Sequence, residues 1–312
     1  MYKFFKQYAL IVFSLLSFST AYSTSSITTV DNPPFDTGLP LIRPSTTERY
    51  QKAISWSGAA FRFPWEFGAA AFLQAKYPTQ LPKVCFIGAS AGAMTSTLLA
   101  CDVKIARDVM GIKVKSDGVT PILKQGKFQY TNDGWIDKVY DKLSKDSTGV
   151  YFNIFEAIRD TEIEKDNSLL LDGYEERATN RATFALTKVT LSSQTKQRIN
   201  QFGSKQDLID YGFASGHLPY LVDGTPYVTV NGQNYIDGGF LDNQPIFAES
   251  NTIKLWPYMD SILSTAPLSW FSFYGTTDMD RNRGIFKDGY NFAKSEYAKS
   301  GHGIWASLNA IT

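Results

Sequence analysis

The hydrophobic pattern changes period several times along the chain, and each change marks an element. Val84, Phe86 and Ile87 make a short apolar run of strand type, and the Ala-, Met- and Leu-rich stretch after Ser90 reads as a helix. Residues 52–56 form an earlier strand candidate. They lead into the small-residue loop Ser57-Gly58-Ala59-Ala60 and then a helix opened by Pro64, proline being well tolerated in a first turn. Trp135, Val139 and Leu143 recur at helical spacing and predict a core stripe. Residues 182–191 and 196–202 predict a hairpin, and Ser204 to Asp207 resemble a capped helix start ahead of Leu208 and Tyr211. Strands 227–230 and 233–236 flank Asn231-Gly232, the strongest short hairpin signal in the chain. The second of them delivers Asp237-Gly238-Gly239. Tyr290, Ala293 and Tyr297 predict a last amphipathic helix, and the aromatic-dense stretch 256–274 reads as core or as a lipid-facing rim.

The N-terminal pattern is of another kind. Lys3 and Lys6 precede an apolar run over 8–18, and Ala21 and Ser23 follow. That order predicts a signal peptide over residues 1–23, since a membrane span needs about 20 apolar residues. An uncleaved signal anchor is the alternative. Residues 24–49 are rich in Ser, Thr and Pro and read as a linker, so the folded domain is expected over 50–312.

Composition narrows the chemistry. The 31 Lys and Arg nearly cancel the 30 Asp and Glu, and without a run of like charges nothing points to nucleic acid. His217 and His302 are the only histidines and Cys85 and Cys101 the only cysteines, too few for a zinc cage; no metal or cofactor is expected. Cys85 falls on the strand before Ser90 and Cys101 at the far end of the helix after it. Packed layers lie about 10 Å apart, beyond the ~7 Å Cα limit for a disulfide, so two buried free thiols are expected. The even count in an exported chain keeps a bridge as the alternative.

Strand, Gly88-Ala89-Ser90-Ala91-Gly92 and helix together make the nucleophile-elbow pattern. Small residues at 88 and 92 are expected because a side chain there would strike the adjoining strand or helix. A serine hydroxyl attacks well only when a base takes its proton. With histidine so scarce, Asp237 is the candidate base, provided burial raises its pKa above the ~3.9 reference. Tyr235, Ile236 and Phe240 supply an apolar surround. The backbone N–H groups of Gly58, Ala59 and Ala60 are candidates for an oxyanion hole. Ser90, Asp237 and His302 also occur in the order of an α/β-hydrolase triad, the rival arrangement. His302 lies in a polar segment that reads as surface, and His217 reads as packing near the site.

The segments ISWSGAAF, FIGASAGAMT, ATFALTKV with KQRINQF, FASGHLPY and YIDGGFLDNQPI occur in an order that resembles the patatin-like phospholipases, most closely the adiponutrin-type lipid acyl hydrolases. The resemblance spans about residues 52 to 297. It implies an α/β fold of three layers, α/β/α, with a mainly parallel central sheet. It also implies a Ser–Asp dyad of Ser90 and Asp237, an oxyanion loop at Gly58, Ala59 and Ala60, and structural roles for Gly238, Gly239, Asn243 and Pro245. Two features depart from the family pattern. Ala59 and Ala60 stand in a loop that is otherwise glycine-rich, and serve there only if their φ stays negative. Phe63 replaces a usual glycine and is expected to narrow the mouth, where Phe61, Trp65, Trp270 and Phe271 are expected to receive a long acyl chain. The implied function is a secreted or lumenal hydrolase of glycerolipid fatty-acyl esters, working through an acyl-enzyme at a membrane or lipid surface. A triad esterase and a catalytically weak lipid-binding protein are the alternatives.

Overall fold

A computed structural model describes residues 50, 52–145, 154–164, 168–247, 252–260 and 279–311. The expected signal peptide, the linker and most of the 256–274 aromatic stretch lie outside them. In chain order the strands and α-helices are β1 (Lys52–Trp56), α1 (Phe63–Lys76), β2 (Val84–Ala89), α2 (Ala91–Ala100), β3 (Leu123–Lys124), β4 (Lys127–Phe128), α3 (Trp135–Lys145), α4 (Ile154–Ile163), α5 (Tyr174–Ala178), β5 (Ala182–Val189), β6 (Gln194–Ile199), α6 (Lys205–Ser215), β7 (Val228–Val230), β8 (Gln233–Asp237), α7 (Gly239–Asp242), β9 (Thr252–Leu255) and α8 (Met279–Ala298).

The centre of the sheet is parallel: β9, β1, β2 and β5 lie side by side and run the same way. Every residue of β2 is buried, which requires cover on both faces and accounts for its unbroken apolar run. The fold is thus α/β, with helices on both sides of a mainly parallel central sheet. At β5 the pairing turns antiparallel: β6 takes its far edge, while β8, continued by β7, shares the edge that β2 occupies. Asn231 and Gly232, with φ of 48° and 74°, make the turn between β7 and β8. Two positive φ values in succession suit that dipeptide. Ser204 Oγ accepts from Asp207 N at 3.1 Å and caps α6.

Helix α1 starts at Phe63 with proline in its first turn and packs along α8. Gly289 allows that approach, because a Cβ there would come within 1.9 Å of the Trp65 carbonyl oxygen. Trp65 is fully buried, donates Nε1 to Asp260 Oδ2 at 3.2 Å and lies 5.1 Å from the Phe292 ring. Phe63 is 1% exposed and packs edge-on against Phe67. Both aromatics belong to the core, which corrects their expected place at a substrate mouth. The reason is the length of α1: its first turn already lies under α8. The Phe61 side chain, Trp270 and Phe271 fall outside the described residues. Cys85 and Cys101 are buried and unpaired, and burial pushes both thiols up to about 12. Among the described residues no helix is long and apolar enough to cross a membrane.

Candidate active site

Strand register brings the two singled-out side chains together. β6 occupies one edge of β5 over Phe184–Ile199 to Val189–Gln194. The other edge is shared: β2 pairs with its first half and β8 with its second. β2 runs parallel to β5 and β8 antiparallel, so they arrive from opposite directions and their C-termini meet. Ala89, the end of β2, pairs with Ala185; Asp237, the end of β8, pairs with Leu186. Ser90 therefore leaves one strand beside the residue that ends the other.

The turn after β2 is held in a conformation that ordinary residues avoid. Ser90 has φ 54° and ψ −124°, and it stands at the N-terminus of α2. A Cβ on Gly88 would come within 2.1 Å of Gly92 backbone atoms, and one on Gly92 within 2.3 Å of the Trp56 carbonyl. The elbow is thus wedged between its own helix and β1, and glycine is required at both positions by contact.

Ser215, at the end of α6, braces this turn and had no sequence signal beyond its place in FASGHLPY. Its Oγ accepts from Ser90 N at 3.0 Å and donates to Ala185 O at 2.7 Å, while its carbonyl accepts from Gly238 N at 3.1 Å. One fully buried residue thereby ties the elbow, β5 and the loop after Asp237. Ser215→Ala leaves the buried Ser90 N–H without an acceptor, at a cost of about 1–3 kcal/mol. The expected outcome is a thermal midpoint several degrees lower; an unchanged midpoint would show that the brace carries no load.

Asp237 is 4% exposed and its carboxylate accepts from Gly239 N at 2.6 Å. Burial pushes its pKa up to about 6, against the opposing pull of the Gly239 N–H and the Ser90 hydroxyl. A carboxylate so placed can take a proton from a serine near neutral pH. The loop behind it is anchored by Arg198, whose Nη2 and Nε reach Asp242 Oδ2 at 2.7 and 3.0 Å. Pro245 O accepts from the Ser55 hydroxyl, which joins that loop to β1.

The loop after β1 lies against the serine, since a Cβ on Gly58 would stand 3.4 Å from Ser90 Cβ. Its donors are not equivalent. Gly58 N already donates to Asn243 O at 3.0 Å, whereas Ala59 N and Ala60 N have no acceptor among the described residues. Ala59 has φ −122°, but Ala60 sits at 46°, in the left-handed region. The expectation that both alanines keep negative φ holds for Ala59 alone, and the condition itself needs correcting, since the N–H of Ala60 is unpaired among the described residues at positive φ as well. The cost to Ala60 is about 1–2 kcal/mol, which the packed loop around it absorbs.

The histidines are placed apart from this pair. The His302 ring stacks 4.4 Å from Tyr297, over which the Lys76 ammonium lies at 4.3 Å. Lys76 ends α1, whereas the loop beside Ser90 leads into its start, a helix length of about 20 Å away. His217 is fully buried with Nε2 3.2 Å from Thr225 O, and burial lowers its pKa. It touches the site through its backbone, its carbonyl accepting from Asp237 N at 2.8 Å.

Ser90 opens into a cavity of about 630 Å³, water at its mouth included. Met94, Thr97 and Leu98 of α2 form one wall and Leu208, Ile209 and Phe213 of α6 another. Trp135, Ile158, Leu169 and Leu170 complete a lining that is mostly apolar, with Arg159 and Glu162 as its charged members.

Over 206 residues the chain is 29% identical to patatin-like phospholipase domain-containing protein 2 of Mus musculus, a match covering 66% of this chain and 37% of that protein. It is 25% identical over 207 residues to a 1-acylglycerol-3-phosphate O-acyltransferase of the same species, covering 66% of this chain and 43% of the relative. The chain thus spans less than half the length of either relative. Among solved structures, VipD from Legionella pneumophila is similar over 79% of this chain and 66% of that one, at 16% identity and a TM-score of 0.40. The family model described as patatin-like phospholipase matches residues 54–248, a segment that holds the end of β1, the elbow, the brace and Asp237. The chain belongs to the patatin-like phospholipase family of lipid hydrolases and acyltransferases.

Proposed function

We propose that this chain hydrolyses fatty-acyl esters of glycerolipids with Ser90 as nucleophile and Asp237 as its only base. The observation that carries the reading is the head-to-head meeting of β2 and β8 on adjacent residues of β5, which sets Ser90 beside the buried Asp237, with Ser90 lining a largely apolar cavity. Ser90 Oγ attacks the ester carbonyl carbon while its proton passes to Asp237. The carbonyl oxygen takes up negative charge and is met by the N–H groups of Ala59 and Ala60. Collapse breaks the bond to the glycerol oxygen, which leaves with the proton from Asp237. Water then gives a proton to Asp237, attacks the acyl-enzyme and releases the fatty acid, and Ser90 recovers its proton. An alcohol in place of water would turn the same intermediate to acyl transfer, the kind of activity that the name of the acyltransferase relative gives for that protein. The basic, then apolar, N-terminal segment supports action in a secretory compartment or outside the cell.

The strain at Ala60 and the committed Gly58 N–H favour one second reading, a lipid-binding protein of low turnover. One experiment separates the two. The purified protein is incubated with mixed glycerolipids, and released species are identified by mass spectrometry. Catalytic release of free fatty acid is expected; stoichiometric lipid retention without release would favour binding alone.

A further inference from the structure

We propose that Gly212 sets which acyl chains this site accepts, by leaving open the space that a side chain on α6 would fill. The proposal rests on the ester-hydrolase reading and adds the residue that decides chain length. Gly212 lies within α6 and lines the cavity into which Ser90 opens. Glycine inside a helix costs stability relative to alanine, so its presence there calls for a cause.

Close packing is the cause in two other helices. A Cβ on Gly68 of α1 would come within 2.0 Å of Phe286 O, and one on Gly289 of α8 within 1.9 Å of Trp65 O. At Gly212 a Cβ would find a single heavy atom within 4 Å beyond its chain neighbours and the helix backbone. That atom is Phe184 Cε2 at 3.8 Å, an ordinary van der Waals contact. Nor does the φ of Gly212 fall in the left-handed region. Free space alone is not distinctive, since Gly284 of α8 has it too. Gly212 differs in its place on the cavity wall: it is half-buried, while Tyr211 and Ala214 beside it are buried.

Ser215, which holds Ser90 N, follows Gly212 by three residues, about 4.5 Å of helical rise. On the facing wall Met94 follows Ser90 by four residues, about 6 Å. Side chains of a helix lean toward its N-terminus, and α6 has its C-terminus at Ser90. A side chain at 212 would therefore lean toward Leu208, away from the nucleophile and into the apolar stretch between α2 and α6. It would stop an acyl chain after its first few carbons while leaving the ester carbonyl its place at Ser90. Thr97, Leu98 and Leu208, farther along the two walls, would then be out of reach. As glycine, position 212 keeps that path open.

The test compares p-nitrophenyl butyrate, octanoate and palmitate in the same neutral detergent micelles. Full-length wild type, Gly212→Ala and Gly212→Leu are used, their fold checked by circular dichroism. The readout is the ratio of kcat/KM for each longer ester over butyrate. Wild type should accept all three, and Gly212→Leu should lower both ratios by about tenfold or more. Gly212→Ala should lower them by less, while its thermal midpoint rises by about 2–4 °C, as expected where glycine serves no packing need. Ratios that do not change in a folded Gly212→Leu protein overturn the proposal while leaving ester hydrolysis standing. Wild type that cleaves butyrate alone overturns it as well, since the open space then admits no longer chain. Where Gly212→Leu is misfolded or cleaves none of the esters, Gly212→Ala decides by the same ratios. If wild type cleaves none of the three, the hydrolase reading fails instead. Palmitate binding, read by displacement of a fluorescent fatty acid, then decides Gly212: weaker binding to Gly212→Leu supports the proposal and equal binding overturns it.

Discussion

Ser90→Ala is expected to yield a folded protein that releases no fatty acid above background and takes no label from an organophosphonate ester probe. The fall in turnover should reach at least about four orders of magnitude, as when the nucleophile of a two-residue unit is removed. Folding should survive, because the elbow is held by contacts that the substitution leaves alone. Gly88 and Gly92 still pass between β1 and α2, and Ser90 N still donates to Ser215 Oγ. Alanine at φ 54° is no more strained than serine there. The change removes one interaction, the hydroxyl that helps keep Asp237 ionised, so the carboxyl pKa should rise further in the variant. Turnover that persisted in a folded Ser90→Ala protein would remove Ser90 from the chemistry, and the proposed mechanism with it.

The separate halves of this site were more legible in the sequence than the way they meet. β1, β2 and the elbow announce themselves because buried parallel strands are unbroken apolar runs and because the turn needs glycine on both sides. Asn231-Gly232 fixes the β7–β8 hairpin and so places Asp237 at a strand end. No local pattern says that β8 will face β2 head to head on one edge of β5, since that depends on pairing between residues some 50 to 100 positions apart. The family resemblance supplied what periodicity could not. Ser215 escaped notice because its role is carried by one hydroxyl and one carbonyl, and serine is common in helix ends. Phe63 and Trp65 misled for a related reason: an aromatic beside a site looks the same in sequence whether it faces substrate or a covering helix. The contact with Phe292 that decides the question for Trp65 comes from α8, more than 200 residues away.

Asp237→Asn is expected to be as inactive as Ser90→Ala, and His302→Ala nearly as active as wild type. If Asp237 is the only proton acceptor at Ser90, an amide in its place leaves the hydroxyl with no base, and the two residues fail as one unit. If Asp237 merely oriented a histidine, loss of the histidine would be the crippling change. Position already weighs against His302, which stacks on Tyr297 at the far end of α1. The pH profile alone does not separate the cases, because the Asp237 value of about 6 lies close to the ~6.5 of an ordinary histidine. The informative curve is that of His302→Ala. Its activity should still rise through about pH 6, where the carboxyl loses its proton and becomes a base. Stability gives an independent readout of opposite sign. The folded state holds the Asp237 proton up to about pH 6, while the unfolded chain releases it near ~3.9. Between those values the folded protein binds more protons, so its stability falls as pH rises, by about 3 kcal/mol in all. Asn carries no such charge, so Asp237→Asn should be more stable than wild type at pH 8 and should lose that advantage below about pH 4. A His302→Ala protein that is folded by circular dichroism yet as dead as Ser90→Ala would overturn the dyad in favour of a triad. An Asp237→Asn protein no more stable at pH 8 than at pH 4, relative to wild type, would show that the carboxylate is not under the desolvation that its role as a base requires.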